Sequence, residues 1–95
     1  MEKSYKEKEG KIDYELDFTF IKEMAKRMSK NKNKYEPYNW KKEMDINDIK
    51  NSLFRHCLEI MNDEYSDDGE EYGHIVALAI NSMILLYQLK KYKNG

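Results

Sequence analysis

Between Ile75 and Leu86 only Asn81 and Ser82 are polar, and no other run of this 95-residue chain constrains its fold as tightly. A helix that is apolar nearly all round has to be covered on most of its sides. Burying Leu78, Ile80, Met83, Leu85 and Leu86 is favourable by roughly 1.5–3 kcal/mol each. Two further helices of modest length cannot supply that cover alone, so the chain is expected to associate with itself. The sequence predicts an all-α protein, with three main helices per chain assembling into a helical bundle as a homodimer or higher homo-oligomer.

The helices are bounded by local signals. The first is predicted over about residues 18–31, with Asp17 or Thr19 as N-cap and Phe20, Ile21, Met24, Ala25 and Met28 on one face. Residues 32–44 read as a loop carrying Pro37, Tyr35, Tyr38 and Trp40. The second helix should begin after Asp45, with Asp48 in the capping-box position and Ile46, Ile49, Leu53, Cys57 and Ile60 as its apolar stripe. Residues 62–68 form a connection. The third helix is predicted to start near Asp67, where the spacing to Glu70 resembles a second capping box, and to run to about Lys93 before Asn94 and Gly95. Residues 1–12 read as a charged arm, partly flexible, and residues 13–95 as a single helical domain.

Composition narrows the function classes. No run reaches the ~18 apolar residues that a membrane span requires, and the charged N-terminus does not resemble a signal peptide. A soluble, cytoplasmic protein is expected. Cys57 has no partner for an intrachain disulfide and suits a small buried hydrophobe better than a reactive thiol. The net charge of −1 conceals a division: residues 1–44 carry +3 and residues 45–95 carry −4. The basic excess peaks at Lys26, Arg27, Lys30, Lys32 and Lys34, the acidic excess at Asp63, Glu64, Asp67, Asp68, Glu70 and Glu71. The lysines attract phosphate directly, whereas the acids do so only through a divalent cation. Together they suit a phosphorylated ligand delivered with metal; as ordinary helix-end and loop charges they would mean nothing more. Nucleic acid is a poor fit to the acidic second half.

Several residues could carry chemistry. Ser52, Arg55, His56 and Glu59 share one side of the second helix. Arg55 could grip a phosphate or pair with Glu59, and His56 could be a ligand or a hydrogen-bonded boundary residue. Asp67, Glu70, Glu71, His74 and Asn81 fall on one side of the third helix as predicted. Carboxylates repeated in that way can hold Mg²⁺ or Mn²⁺, or merely complement the helix dipole. Asn81 must find a partner if buried, either a ligand base or a neighbouring helix. Tyr35, Tyr38 and Trp40 could stack on a nucleobase near Lys34, or form a hydrophobic lid.

Taken in order, Lys34-Tyr35, Asn39-Trp40, Arg55-His56, Asp67, His74 and Asn81 resemble the small phage-associated dATP/dGTP diphosphohydrolase domain of the MazG-like, all-α NTP pyrophosphohydrolase superfamily. Lys11, Asp13 and the helix around Ile21 to Ala25 are similar too, so the resemblance covers about residues 11–89. It implies an oligomeric, metal-dependent hydrolase that converts a purine dNTP to its monophosphate and pyrophosphate, in the cytoplasm of a bacterial host. On that reading Glu64, Asp67 and His56 are catalytic, and Glu59, Glu64, Asp67 and Glu71 hold Mg²⁺ or Mn²⁺. Lys34, Tyr35, Asn39, Trp40, Arg55, His74 and Asn81 would bind the nucleotide. The family usually has glutamate at Gly69, glycine at Glu71 and a second histidine at Ala77. Those departures leave two alternatives open: a degenerate member that sequesters a nucleotide or nucleotide signal, and a helical module whose partner is another protein.

Overall fold

The computed structural model describes residues 15–30 and 38–93. The N-terminal arm, Lys32, Lys34, Tyr35 and the final Asn94 and Gly95 lie outside the described residues. Three α-helices follow in order: α1 (Phe18–Lys30), α2 (Ile46–Met61) and α3 (Gly73–Gln88), the last continuing into a π-helical turn, Leu89–Lys93. The architecture is all-α.

The two upstream starts form as their caps dictate. Asp17 Oδ1 accepts the Thr19 N–H at 2.9 Å, and Asp45 Oδ1 accepts the Asn47 N–H at 2.9 Å. Each bond satisfies an orphan donor of a first turn. The α2 stripe faces inward as its spacing predicts: Ile49 is buried, and Ile46, Leu53, Cys57 and Ile60 are half-buried. α3 packs chiefly on α2 and secondarily on α1.

The predicted start of the third helix is wrong by about two turns. Asp68 and Gly69 both take positive φ, 55° and 80°, while the Asp67 N–H donates to the Glu70 carbonyl at 2.9 Å and Glu70 N–H returns the bond at 3.0 Å. Two left-handed central residues closed by such a pair are the signature of a tight I′-type turn, for which Asp-Gly is a favoured dipeptide. The helix therefore begins only at Gly73. Its first N–H groups are satisfied by the loop instead of a side chain: Gly73 donates to Glu70 O at 3.2 Å and His74 to Tyr65 O at 2.9 Å. A Cβ at Gly73 would lie 2.5 Å from the Asp67 carbonyl oxygen, so the turn and the helix start touch where only glycine fits.

Among the described residues the helices are only partly covered. The buried apolar side chains are Ile49, Val76, Ala77 and Ile80 alone among the described residues. α1 buries none of its residues; Phe20, Ile21 and Ala25 on its expected inner face are exposed. On α3, Leu78, Met83 and Leu85 are half-buried and Leu86 is exposed. Including its π turn, α3 offers a 20-residue stretch, Gly73–Tyr92, whose most apolar 18 residues have a mean hydropathy of 1.2, which reaches the length and apolarity of a membrane span where the sequence predicts none. Its buried His74 and Gln88, and its packing on α2, mark it as the bundle's core helix.

The far end of α3 holds the segment before α2. Gln88, fully buried, donates through Nε2 to the carbonyls of Trp40 and Lys42, both at 2.8 Å, and accepts the Met44 N–H at 3.0 Å. Trp40 meets Tyr87 edge-on at 5.1 Å. The arrangement is that of a lid over the C-terminal end of the helix.

Candidate functional site

At the first turn of α3, three elements converge on one polar cluster. α2 contributes His56, α3 contributes His74 and the turn contributes Asp67; a nitrogen or carboxylate oxygen from each lies within 4.8 Å of the others. His56 and His74 are both buried, and their Nδ1 atoms are 2.8 Å apart. One ring must donate to the other, so the two occupy different tautomers or share a single added proton. His74 Nε2 is 4.0 Å from Asp67 Oδ1.

The other oxygen of Asp67 faces the opposite way. Arg27, from α1, donates from Nη2 to Asp67 Oδ2 at 2.6 Å and from Nη1 to Glu70 Oε1 at 2.8 Å. One turn on, Lys30 donates to the Asp68 carbonyl at 2.7 Å and lies 3.6 Å from Glu70 Oε2. The left-handed turn makes this possible, because it sets both carboxylates and a carbonyl toward α1.

These contacts set the charge states. Burial works against ionised Asp67, but the hydrogen bond and charge of Arg27, with smaller contributions from His74 and His56, outweigh it and hold the carboxyl below its usual value. Burial likewise opposes charge on Arg27, and its bonds to Asp67 and Glu70 more than offset that, raising its pKa. For His56, burial is the largest cause and the charge of Arg55 the next; Asp67 opposes them, yet the pKa falls. The site thus combines a neutral buried imidazole with a firmly ionised carboxylate. Two imidazoles and a carboxylate suit Mn²⁺, Zn²⁺, Co²⁺ or Fe²⁺ better than Mg²⁺, which prefers oxygen throughout.

The other expected site residues are distributed more widely. Glu59 is half-buried and Glu64 exposed, linked only by the bond from Glu64 N–H to the Glu59 carbonyl at 2.8 Å; neither joins the cluster, nor does exposed Glu71. With the helix starting at Gly73, Asp67, Glu70 and Glu71 do not share a helical face with His74. Arg55 is exposed and forms no ion pair with Glu59. Asn81 is half-buried and donates to the Ala77 carbonyl of its own helix at 2.8 Å. Asn39 and Trp40 sit beside Gln88, about 20 Å along α3 from His74 at 1.5 Å per residue. Arg27 and Lys30 were not singled out from the sequence as site residues, although the basic stretch containing them and the acidic stretch that receives them were both legible.

The family described as dATP/dGTP diphosphohydrolase, N-terminal, matches residues 1–95. The chain belongs to that family. The all-α fold is consistent with the MazG-like superfamily inferred from the sequence. No curated protein and no solved structure matches the chain. Within this diphosphohydrolase family, the departures acquire physical meaning. Gly69 stands at φ 80°, where a glutamate would be strained even though a Cβ there meets nothing within 4 Å. Ala77, where the resemblance implies a second histidine, is buried one turn beyond His74 and offers only a methyl group.

Proposed function

We propose that the chain is a nucleotide-binding domain that hydrolyses a purine dNTP to the monophosphate and pyrophosphate, with a divalent cation held by His56, Asp67 and His74. The observation carrying this reading is the convergence of those three ligand atoms within 4.8 Å, in a chain of the diphosphohydrolase N-terminal family. Mn²⁺ fits the donors better than Mg²⁺. A bound cation would supply Lewis-acid polarisation of a phosphoryl oxygen. The chain's own residues prepare for it in part: Arg27 keeps Asp67 anionic and burial keeps His56 neutral, while the bond between the two Nδ1 atoms has to open before both rings can offer a lone pair. Glu59, Glu64 and Glu71 are outside the three-residue cluster and enter this reading as accessory carboxylates.

The working form in this reading is a homo-oligomer in the cytoplasm, where dNTPs are found. The incompletely covered α3 supports self-association, as does the exposed α2 stripe of Phe54, Leu58 and Met61. A second reading, nucleotide capture without hydrolysis, draws on Gly69 in place of the family's glutamate and on the engagement of both Asp67 and Glu70 by Arg27.

Chromatography of dATP, dGTP and their ribose forms, with Mn²⁺ or Mg²⁺ and with chelator, separates these readings. Monophosphate that appears only with metal, and disappears in Asp67→Ala while helicity is retained, is the expected result. Turnover that survives Asp67→Ala removes that residue from the mechanism. Intact nucleotide bound to the protein favours capture; no thermal shift with any nucleotide leaves a helical protein-interaction module.

A further inference from the structure

We propose that Arg27 and Lys30 form the phosphate-binding side of this site, held by Asp67, Asp68 and Glu70 until a metal-bound polyphosphate arrives. The proposal rests on the metal-dependent reading above and assigns the substrate-binding cations within it. Arg27 and Lys30 are one turn apart on α1 and present their charged ends to the same tight turn. Arg27 reaches the very carboxylate that faces the histidines, so its guanidinium lies immediately beside the candidate cation position. Its fork geometry suits two phosphate oxygens as well as it suits two carboxylates.

Charge decides when a polyphosphate can enter. The two cations face three anions, Asp67, Asp68 and Glu70, leaving the neighbourhood at −1. Such a site repels a polyphosphate. A dication on Asp67 and the histidines reverses the sign to +1, and it also weakens the hold of Asp67 on Arg27. The guanidinium and the ammonium then become available to anionic oxygen. By contrast, Arg55 is exposed and makes no hydrogen bond or ion pair with the turn, although its charge is felt at His56, which makes it a weaker candidate for the same role.

The test is calorimetric binding of inorganic tripolyphosphate to the full chain, with and without Mn²⁺, alongside titration of Mn²⁺ alone. Wild-type protein should bind tripolyphosphate only with Mn²⁺. Lys30→Gln removes a partly exposed charge and should weaken tripolyphosphate binding several-fold without weakening Mn²⁺ binding, because one cation fewer leaves the neighbourhood more negative. Arg27→Lys keeps a cation against Asp67 but loses the fork, and should weaken it about tenfold or more. Tripolyphosphate affinities equal to wild type in both variants would overturn the assignment and reduce the pair to a strap between α1 and the turn. Wild-type protein that binds neither Mn²⁺ nor tripolyphosphate would instead remove the metal-dependent reading, and this assignment with it.

Discussion

Both ends of α3 bury a polar side chain against an adjoining loop, His74 at the first turn and Gln88 at the last. Gln88 directs both ends of its amide at backbone groups and satisfies three of them. None of its partners can change charge or leave, so the bonds serve as a clamp. His74 has ionisable partners instead: another histidine at 2.8 Å and a carboxylate at 4.0 Å that is shared with an arginine. Every member of that set can exchange a proton, a cation or an anion for its present neighbour. What a buried polar group can do is thus decided less by its own chemistry than by whether its partners are fixed.

The sharpest break in this comparison is at the clamp. Gln88→Leu keeps the volume but strands two carbonyls and an N–H, and should cost about 3 kcal/mol of stability, read as a lowered urea midpoint. Mn²⁺ affinity should not change if the two ends are independent; a parallel loss would show that they are one unit. Gly73→Ala should act at the opposite end. Alanine gains up to about 1 kcal/mol of helix propensity, yet its methyl meets the Asp67 carbonyl, and overpacking typically costs about 1–3 kcal/mol. The net expectation is a modest drop in melting temperature with a clear loss of Mn²⁺ binding, because the turn must shift and carry Asp67 with it. Unchanged Mn²⁺ binding would count against Asp67 as a ligand.

The smallest effect is the response to acid. The folded-state pKa of His56 lies below 6.5, so below that pH the unfolded chain takes up more protons than the native one. Its stabilising contribution is complete above pH 6.5 and is lost as the pH falls through the folded value. Asp67, also lowered, adds a loss of the same sign in the range below its ordinary 3.8. Unfolding free energies from urea titrations between pH 8 and 5 should therefore decline by less than the single-proton limit of about 1.4 kcal/mol per pH unit. The decline should flatten in His56→Gln. An identical slope in both proteins would place its origin elsewhere.

Much of the scaffold was legible because its signals are local. Asp17 and Asp45 cap the helices they precede, and the three-four spacing of Ile49, Leu53 and Cys57 already defines an inner face. The α3 start was misread because Asp67 and Glu70 have capping-box spacing, while the intervening Asp68-Gly69 pair favours a left-handed turn that forbids helix there. The site was only half legible. His56, Asp67 and His74 could each be named, but their meeting depends on how α2 and α3 lie against each other, which no spacing encodes. The grip of Arg27 across 40 residues is a matter of tertiary placement too. Gln88 gave no sign at all, since a glutamine near a lysine-rich helix end looks like solvent-facing surface.

Leu89–Lys93 winds as a π-helix, and a π turn contains one residue more than the regular turns before it. The extra residue rotates whatever follows by about 100° relative to an uninterrupted α-helix. Tyr92 is thereby set to donate to the Lys41 carbonyl at 2.9 Å, a second hold on the segment that Gln88 already grips. Tightening this turn to ordinary α winding with the same number of residues would swing the phenol away, whereas replacing Lys90 or Lys91 would leave it in place. The second hold therefore depends on how this end of the chain is wound and not on which lysines it carries.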